Sequence, residues 1–374
     1  MSTFSAEDHR FMARALRLAS HGMYTTDPNP RVGCVLVQDG EIVGEGWHER
    51  AGEAHAEVRA LARAGDRARG ATCYVSLEPC CHHGRTPPCT RALIKAGVKR
   101  VVAPLEDPNP QVGGRGLSEL RAAGIETAIG LMTAQSAELN PGFLKRMRIK
   151  RPYVRCKLAM SLDGHTAMAS GESAWITDAP ARADVQRLRA RSSAILMGIG
   201  TVLADDPLGT VRLEPTDYPG GTVRQPLRIV VDPRLSLPET AKILSAPGKT
   251  LVITASEEED IAARLRKKGA EVVRLGGGRD RVHLPGLLDY LGAREINEVL
   301  LETGAILSGA MLEAGLIDEL IIYMAPLVLG DSARGLFHLP GLDRLSDAYR
   351  LEIRGVQAVG RDWRINANVV PKIA

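Results

Sequence analysis

No apolar run in this 374-residue chain is long enough to cross a membrane. The most apolar late stretch, residues 320–329, is too short to span a bilayer and follows Asp318 and Glu319 directly. A signal peptide is also missing, because Glu7, Asp8, His9 and Arg10 stand where its apolar core would lie. Charge of either sign is scarce in excess: the net value of +4 argues against a nucleic-acid coat yet permits anionic small substrates. The six cysteines make no disulfide framework, since Cys80, Cys81 and Cys89 crowd into one loop. Cys34, Cys73 and Cys156 fall in apolar strand-like runs, as buried free thiols do. A reducing cytoplasm is expected, with neither membrane nor nucleic acid as partner. No G-x-G-x-x-G opens the second half, so a Rossmann dinucleotide fingerprint is absent there.

What is present suffices for two domains with separate cores. Ser5 and Asp8 pair as an N-cap ahead of Phe11, Ala15, Leu18 and Ala19 at helical spacing, and Gly22 ends that helix. Residues 32–37, the turn Asp39-Gly40 and residues 41–47 read as a hairpin. His55 opens a helix, 72–77 is a strand, and Pro87-Pro88 starts a helix that Gly97 closes. Strands at 100–104 and 125–129 flank a helix at 117–123. The alternation predicts an α/β fold whose sheet carries helices on both faces. Asp27-Pro28-Asn29-Pro30 recurs as Asp107-Pro108-Asn109-Pro110, which signals chance or similar turn chemistry and not a repeat architecture. The basic stretch 143–152 reads as a solvated helix end and linker, so the domains are placed at 1–147 and 152–374. Beyond it, strands fall at 153–159, 195–198, 228–232, 251–254, 272–275, 298–302, 320–324, 351–356 and 363–369. Thr177 or Asp178 caps a helix through Arg191, Gly198 to Thr201 leads to a short turn, and 305–314 is a helix. Gly304 before it makes an anion cradle of backbone N–H groups, although glycine at such a turn is ordinary. Residue chemistry alone leaves the task of this half undefined.

The first half is more explicit. His55, Cys80 and Cys89 offer one imidazole and two thiolates, three protein ligands for zinc with the fourth position left open. Glu57 stands where a carboxylate handles the proton of a water. Structural zinc is normally closed by four ligands, so three plus a carboxylate point to catalysis. Cys81, His82 and His83 are rival ligands by type; Pro79 before Cys80 favours Cys80. The pattern resembles the H-x-E…P-C-x-x-C signature of zinc deaminases, with a longer loop, residues 81–88, between the cysteines. The chemistry implied is hydrolytic attack on an amidine-like ring carbon, with Glu57 carrying the proton to the ring nitrogen and then to ammonia.

Both halves together resemble the bifunctional deaminase–reductase family of bacterial riboflavin biosynthesis, over nearly the whole chain. In the first half the resemblance rests on Pro28-Asn29-Pro30-Arg31-Val32-Gly33, His55-Ala56-Glu57 and the run from Glu78-Pro79-Cys80 to Pro87-Pro88-Cys89, where the long loop is itself the family's mark. In the second half it rests on Lys157-Leu158-Ala159-Met160-Ser161-Leu162-Asp163-Gly164, on Ser170-Gly171-Glu172-Ser173-Ala174-Trp175-Ile176-Thr177, on Thr201-Val202-Leu203-Ala204-Asp205-Asp206-Pro207 and on Glu302-Thr303-Gly304.

The resemblance implies a cytidine-deaminase-like domain followed by a dihydrofolate-reductase-like domain. The first would remove the 2-amino group of a diaminopyrimidinone bearing a phosphoribosylamino chain, and the second would use NADPH to reduce the ribose to a ribityl chain. By motif matching, Zn2+ would sit on His55, Cys80 and Cys89, with Glu57 as proton shuttle. NADPH would contact Ala159, Trp175, Thr201, Asp205 and the run Gly304, Ala305, Ile306, Leu307, Ser308, Gly309 and Ala310. Ser173, Arg189, Gly209, Arg212 and Glu302 would line the substrate; Arg189 and Arg212 suit a phosphate by charge and fork geometry. Asn29, His83, Arg85 and Lys157 are further candidates: His83 and Arg85 for ribose-phosphate contact, Lys157 or Glu302 for protonating the reducing centre. Gly209 can supply only backbone, and Pro233, at a position of cofactor contact in the family, has no N–H to donate. The implied partner is a small phosphorylated pyrimidine, and a homo-oligomer of unstated order is expected. The alternative, a zinc deaminase of another nucleobase (for example in tRNA) with an unrelated second domain, asks for a stronger basic groove than +4 provides.

Overall fold

Ser5 and Asp8 close a reciprocal capping box at the start of helix α1 (Ala6–Ser20), which stops two residues before Gly22. The structure, a computed structural model, describes residues 4–84, 86–172, 176–214, 223–278 and 280–371. The chain divides into two units between Lys150 and Arg151.

In the first unit α1 is followed by β1 (Gly33–Gln38), β2 (Glu41–Trp47), α2 (Ala56–Ala64), β3 (Thr72–Val75), α3 (Cys89–Ala96), β4 (Arg100–Ala103), α4 (Arg115–Ala122), β5 (Glu126–Ile129), α5 (Thr133–Leu139) and α6 (Pro141–Ile149). The sheet order is β2-β1-β3-β4-β5, antiparallel among the first three strands and parallel among the last three. Asp39 and Gly40 both take positive φ, as the two-residue hairpin turn requires. Side chains alternate across the sheet: Cys34, Leu36, Cys73 and Val101 pack under α2, α3 and α4, whereas Val35, Val37, Tyr74 and Val102 pack under α1. Helices therefore cover both faces.

Helix α2 lies against β2 because the contact is made of small residues. A Cβ at Gly44 would meet the Ala60 carbonyl oxygen at 2.3 Å, and one at Gly46 would meet that of Ala56 at 2.9 Å. That close approach fixes where the N-terminus of α2, with His55 and Glu57, must stand. The segment 143–152, read from sequence as a helix end and linker, falls in α6 through Ile149 and in the residues that follow it. Phe143 and Leu144 bury against Leu77 and Leu105, and that apolar contact outweighs the basic residues' preference for solvent.

The second unit contains β6 (Tyr153–Ser161), β7 (His165–Ala167), α7 (Ala179–Arg191), β8 (Ala194–Gly198), α8 (Ile199–Asp205), β9 (Leu227–Val231), α9 (Lys242–Ser245), β10 (Thr250–Thr254), α10 (Glu259–Lys267), β11 (Ala270–Arg274), α11 (Leu284–Ala293), β12 (Glu298–Leu301), α12 (Ala305–Glu313), β13 (Glu319–Ala325), β14 (Arg334–Gly335), β15 (Leu351–Val359) and β16 (Asp362–Val369). Nine strands form one sheet in the order β11-β10-β9-β8-β12-β6-β13-β16-β15, parallel except at β16 and β15, and β7 pairs with β14. The strands β8, β10 and β12 are buried along their whole length, which is why they read as unbroken apolar runs. Asp178 caps α7. Residues 199–205, expected as a turn, form the short helix α8, whose Val202 packs into the core with Ile195 and Met197.

Asp8 shows how strongly α1 is tied to the sheet. Burial alone would raise its pKa, but hydrogen bonds from Arg100, the Ser5 N–H and Tyr74 hold it at about 2. A carboxyl depressed by folding stabilises above its unfolded pKa and loses that contribution as pH falls through the folded value. Asp8→Asn is expected to lower the unfolding free energy by about 2 kcal/mol at pH 7, a difference that roughly halves by pH 3. Urea titrations at the two pH values check this, and an equal difference at both would rule out the ionised carboxylate as its source.

Candidate functional site

His55 is the N-cap of α2, Cys89 opens α3, and Cys80 follows the end of β3, so three elements deliver the donors to one point. Their ligand atoms lie within 4.8 Å of one another, with His55 Nδ1 at 3.5 Å from Cys80 Sγ and 3.3 Å from Cys89 Sγ. Donors held about 2.0–2.3 Å from a tetrahedral zinc are separated by such distances, so the set fits that ion. Hydrogen bonding from Cys89 and His55 lowers the Cys80 thiol to about 4, against the opposing effect of burial. Burial, reinforced by the Cys80 charge, raises the Glu57 carboxyl, which also contacts Cys89. The other ring nitrogen of His55, Nε2, meets the Thr86 hydroxyl at 3.3 Å, an orienting contact of the kind metal-bound imidazoles use. The rivals stand elsewhere: the Cys81 thiol donates to the Gln111 carbonyl at 3.7 Å, His83 is exposed, and neither joins the donor cluster, nor does His82. Arg85 lies outside the described residues.

Asn29 reaches this site through a residue that sequence reasoning missed. His48 is buried and its ring packs edge-on to His55, with centroids 5.1 Å apart. Burial, and then the proximity of His55, lower its pKa to about 4, so the ring is neutral near pH 7. One tautomer satisfies both neighbours: Nδ1–H donates to the Ala54 carbonyl at 3.3 Å, and Nε2 accepts from Asn29 Nδ2 at 3.0 Å. Glu78 was missed as well. Its buried carboxylate accepts backbone N–H groups of Asp107 and Gly114 at 2.9 Å and of Leu117 at 3.1 Å, which pins the loop before α4 beside Pro79-Cys80. A carboxylate at a strand end with Gly113-Gly114 downstream was the available signal.

In the second unit the candidates collect at the C-terminal ends of the parallel strands β6, β8 and β12, the place where open α/β sheets bind ligands. Arg189, on α7, meets Glu302 in a bidentate pair with both contacts at 2.7 Å, and its NH1 donates to the Thr210 carbonyl. The two candidates thus face each other, so the Arg189 fork is already engaged. Burial would raise Glu302, but Arg189 and Lys157 outweigh it and lower the carboxyl. Burial lowers the Lys157 ammonium; Glu302 opposes this and the Arg189 cation adds to it. Arg212 is exposed, with its backbone N–H held by Gln186 at 2.9 Å. Gly209 has φ +59, and a Cβ there would meet Met197 at 2.9 Å and Arg228 at 3.0 Å, which accounts for the glycine.

Gly304 is the N-cap of α12, and a Cβ on it would meet nothing within 4 Å. The first-turn N–H groups of that helix have no intrahelical acceptor, so they make an anion seat open to a phosphate. Ala305, Ile306, Leu307, Ser308, Gly309 and Ala310 form its opening turns, with Ile306 exposed and Ser308 and Gly309 buried. Ala159 lies near the end of β6, and Thr201 and Asp205 lie on α8. Ser173 and Trp175 lie outside the described residues.

Residues 152–365 match the family model of the RibD C-terminal domain, and residues 5–105 match that of the cytidine and deoxycytidylate deaminase zinc-binding region. The riboflavin biosynthesis protein RibD of Escherichia coli (strain K12) is 52% identical over 365 residues, covering 95% of this chain and 98% of that protein. That of Haemophilus influenzae is 49% identical over 98% of each. Among solved structures, Acinetobacter baumannii RibD (form 1) is similar with a TM-score of 0.90 at 46% identity, covering 98% of this chain and 99% of its own. A Thermotoga maritima diaminohydroxyphosphoribosylaminopyrimidine deaminase/5-amino-6-(5-phosphoribosylamino)uracil reductase gives 0.84 at 33% identity, over 97% and 99%.

The donor geometry predicts about one zinc per chain in the purified protein, and Cys89→Ser is expected to lower zinc affinity by at least about tenfold. Metal analysis after dialysis against a graded chelator decides it; unchanged retention would remove Cys89 from the ligand set.

Proposed function

Because the chain belongs to the RibD family, a bifunctional deaminase and reductase of riboflavin biosynthesis with zinc and NADPH as cofactors, we propose how its own residues divide the two reactions. The substrate of the first is 2,5-diamino-6-(5-phosphoribosylamino)pyrimidin-4(3H)-one. The second gives 5-amino-6-(5-phosphoribitylamino)uracil. The observation that carries the deaminase assignment is the three-donor cluster with the buried Glu57 beside it.

His55, Cys80 and Cys89 would hold zinc, which supplies the Lewis acidity that makes water a nucleophile at neutral pH. Glu57 takes the first proton of that water and passes it to the ring nitrogen. It then takes the second from the added oxygen and passes it to the departing amino group, which leaves as ammonia. Its raised pKa suits a group that must both accept and donate. Asn29, held by His48, contacts the pyrimidine, and the loop bearing His83 and Arg85 contacts the ribose phosphate. NADPH supplies hydride to the reductase site. There the α12 N-terminus from Gly304 to Ala310 receives a cofactor phosphate, and Ala159, Trp175, Thr201 and Asp205 complete the cofactor contacts. Ser173, Gly209, Arg212 and the Arg189–Glu302 pair line the substrate. The Arg189 fork is closed on Glu302, so the exposed Arg212 is the better phosphate ligand, and Lys157 is placed to deliver a proton.

Two finer assignments accompany this reading. The chain works in the cytoplasm, a compartment that suits Cys34 and Cys73, whose sulfurs approach to 3.5 Å yet stay reduced. Among the described residues no helix is long and apolar enough to cross a membrane. It also assembles as a homo-oligomer: the terminal hairpin β15–β16 exposes Leu351, Ile353, Val356 and Trp363, an apolar face on an edge strand that a second copy would cover. Light scattering is expected to give a multiple of the 40.2 kDa chain mass, and Ile353→Lys with Val356→Lys to lower it; a wild-type monomer would end the idea.

Incubating the protein with the diaminopyrimidine ribotide, with and without NADPH, and weighing the products tests the division of labour. Glu57→Gln should abolish ammonia release by at least about 100-fold while NADPH oxidation with the deaminated intermediate continues. Arg212→Ala should do the reverse, raising the reductase KM about tenfold. Loss of both activities in a folded Glu57→Gln protein would sink the two-site assignment.

A further inference from the structure

The zinc-binding region matched by the family model ends at residue 105, and the sheet of the first unit ends with β5 at Ile129. Two buried polar residues beyond both limits nevertheless reach back into the deaminase site. Asn140 sits at the junction of α5 and α6, in an N-cap position where an asparagine normally accepts an N–H of its own helix. It makes no such bond. Its amide closes instead on the backbone of Arg31, Oδ1 accepting from Arg31 N at 2.8 Å and Nδ2 donating to Arg31 O at 2.9 Å. The Arg31 guanidinium donates to the Leu139 carbonyl at 2.6 Å and to that of Met23 at 3.3 Å, so residues 139 and 140 grip Arg31 by main chain and side chain together. One helical turn earlier, Ser136 donates to the Ser76 carbonyl at 2.6 Å, and Ser76 exchanges bonds of 3.0 Å with Gly33 through its N–H and its hydroxyl.

Asn29 is two residues before Arg31, and Cys80 is four after Ser76. The segment around α5 therefore braces the loop that carries Asn29 and the strand end that leads to the metal ligand. Both asparagine and serine are almost completely buried, at 2% and 1% exposure, so their bonds replace ones that water cannot supply. We propose that Asn140 is a positioning residue of the deaminase reaction: by clamping the Arg31 backbone it holds Asn29 against His48 and sets the pyrimidine-binding wall of the site. This rests on the reading of Asn29 as a pyrimidine contact. Asn140 touches neither the donor cluster nor Glu57, so its removal acts on substrate binding and not on zinc or the proton shuttle.

The test uses the full-length zinc enzyme and the diaminopyrimidine ribotide, with Asn140→Ala, Asn140→Asp and Asn29→Ala compared. Asn140→Ala is expected to raise the deaminase KM about tenfold, which is about 1.4 kcal/mol of binding. The deaminase kcat, the zinc content and the reductase rate with deaminated intermediate should stay within about twofold, a split that a merely structural role would not give. Asn140→Asp retains the acceptor for Arg31 N and loses the donor to Arg31 O, so its KM should lie between those of the wild type and of Asn140→Ala; it carries the test if the alanine variant does not fold. A wild-type KM in both Asn140 variants, or a kcat and zinc content that fall together with it, would overturn the proposal. If Asn29→Ala raises KM and the Asn140 variants do not, the clamp alone fails. If Asn29→Ala leaves KM unchanged, the reading of Asn29 fails and takes the clamp with it.

Discussion

The buried carboxylate of Glu78 is the contact on which the metal site most depends. It gathers three backbone N–H groups, two from the loop before α4 and one from the first turn of α4, at the point where β3 hands over to Pro79-Cys80. The N–H groups of Asp107 and Leu117 are buried, so without Glu78 each would cost about 1–3 kcal/mol as an orphan. The neighbouring backbone leaves no slack, since a Cβ on Gly116 would stand 2.1 Å from the Pro79 carbonyl oxygen. Cys80 is thus fixed from one side by a hydrogen-bonded carboxylate and from the other by close backbone packing. Only then do the helix N-termini that carry His55 and Cys89 have a fixed third donor to complete.

The same economy of position governs the second unit with different chemistry. There the strand ends present a partly buried ion pair, Arg189 with Glu302, and a lysine within reach of its field. Truncating one partner of such a pair leaves the other charge uncompensated, which costs more than the pair itself is worth. Arg189 therefore contributes first by keeping Glu302 ionised and oriented. Under the proposed function, charge recognition of a phosphate would fall to the exposed Arg212 and the first turn of α12.

How much of this was legible in the sequence depended on the range over which each residue acts. The capping box of α1, the Asp39-Gly40 turn and the fully buried strands follow from local chemistry and from periodicity. The three candidate zinc donors could be picked out because few residue types ligate zinc, and the proline before Cys80 marked one of them. Glu78 left a fainter signal, because its partners lie 29 to 39 residues away. Asn140 acts across 109 residues, and nothing in its local sequence marks that reach. His48 has an ordinary strand-end setting in sequence; only burial beside His55 turns it into a neutral hydrogen-bond acceptor. In the reductase half the resemblance named Arg189 and Glu302 separately, and the three-dimensional arrangement joins them.

The repeated tetrapeptide makes the distinction between local and tertiary determination concrete. In the second copy the Asp107 carboxylate accepts from Asn109 N at 2.8 Å and Asn109 Oδ1 accepts from Gln111 N at 3.0 Å, so the loop closes on itself. Burial, with the charges of Glu78 and Cys80 nearby, lifts Asp107 to about 7. In the first copy Asn29 N–H donates to the Thr26 carbonyl at 2.8 Å, and its amide goes out to His48. Identical residues do not give identical turns, since the Asp27–Pro28 bond is cis and the Asp107–Pro108 bond is not, and one asparagine satisfies its own loop while the other is held out beside the candidate zinc ligands. Beside the first copy stands Arg31, two residues on, whose backbone is clamped by Asn140 and whose guanidinium is bound by Leu139 and Met23. The tetrapeptide supplies the bend, and partners distant in sequence decide which atom faces the chemistry.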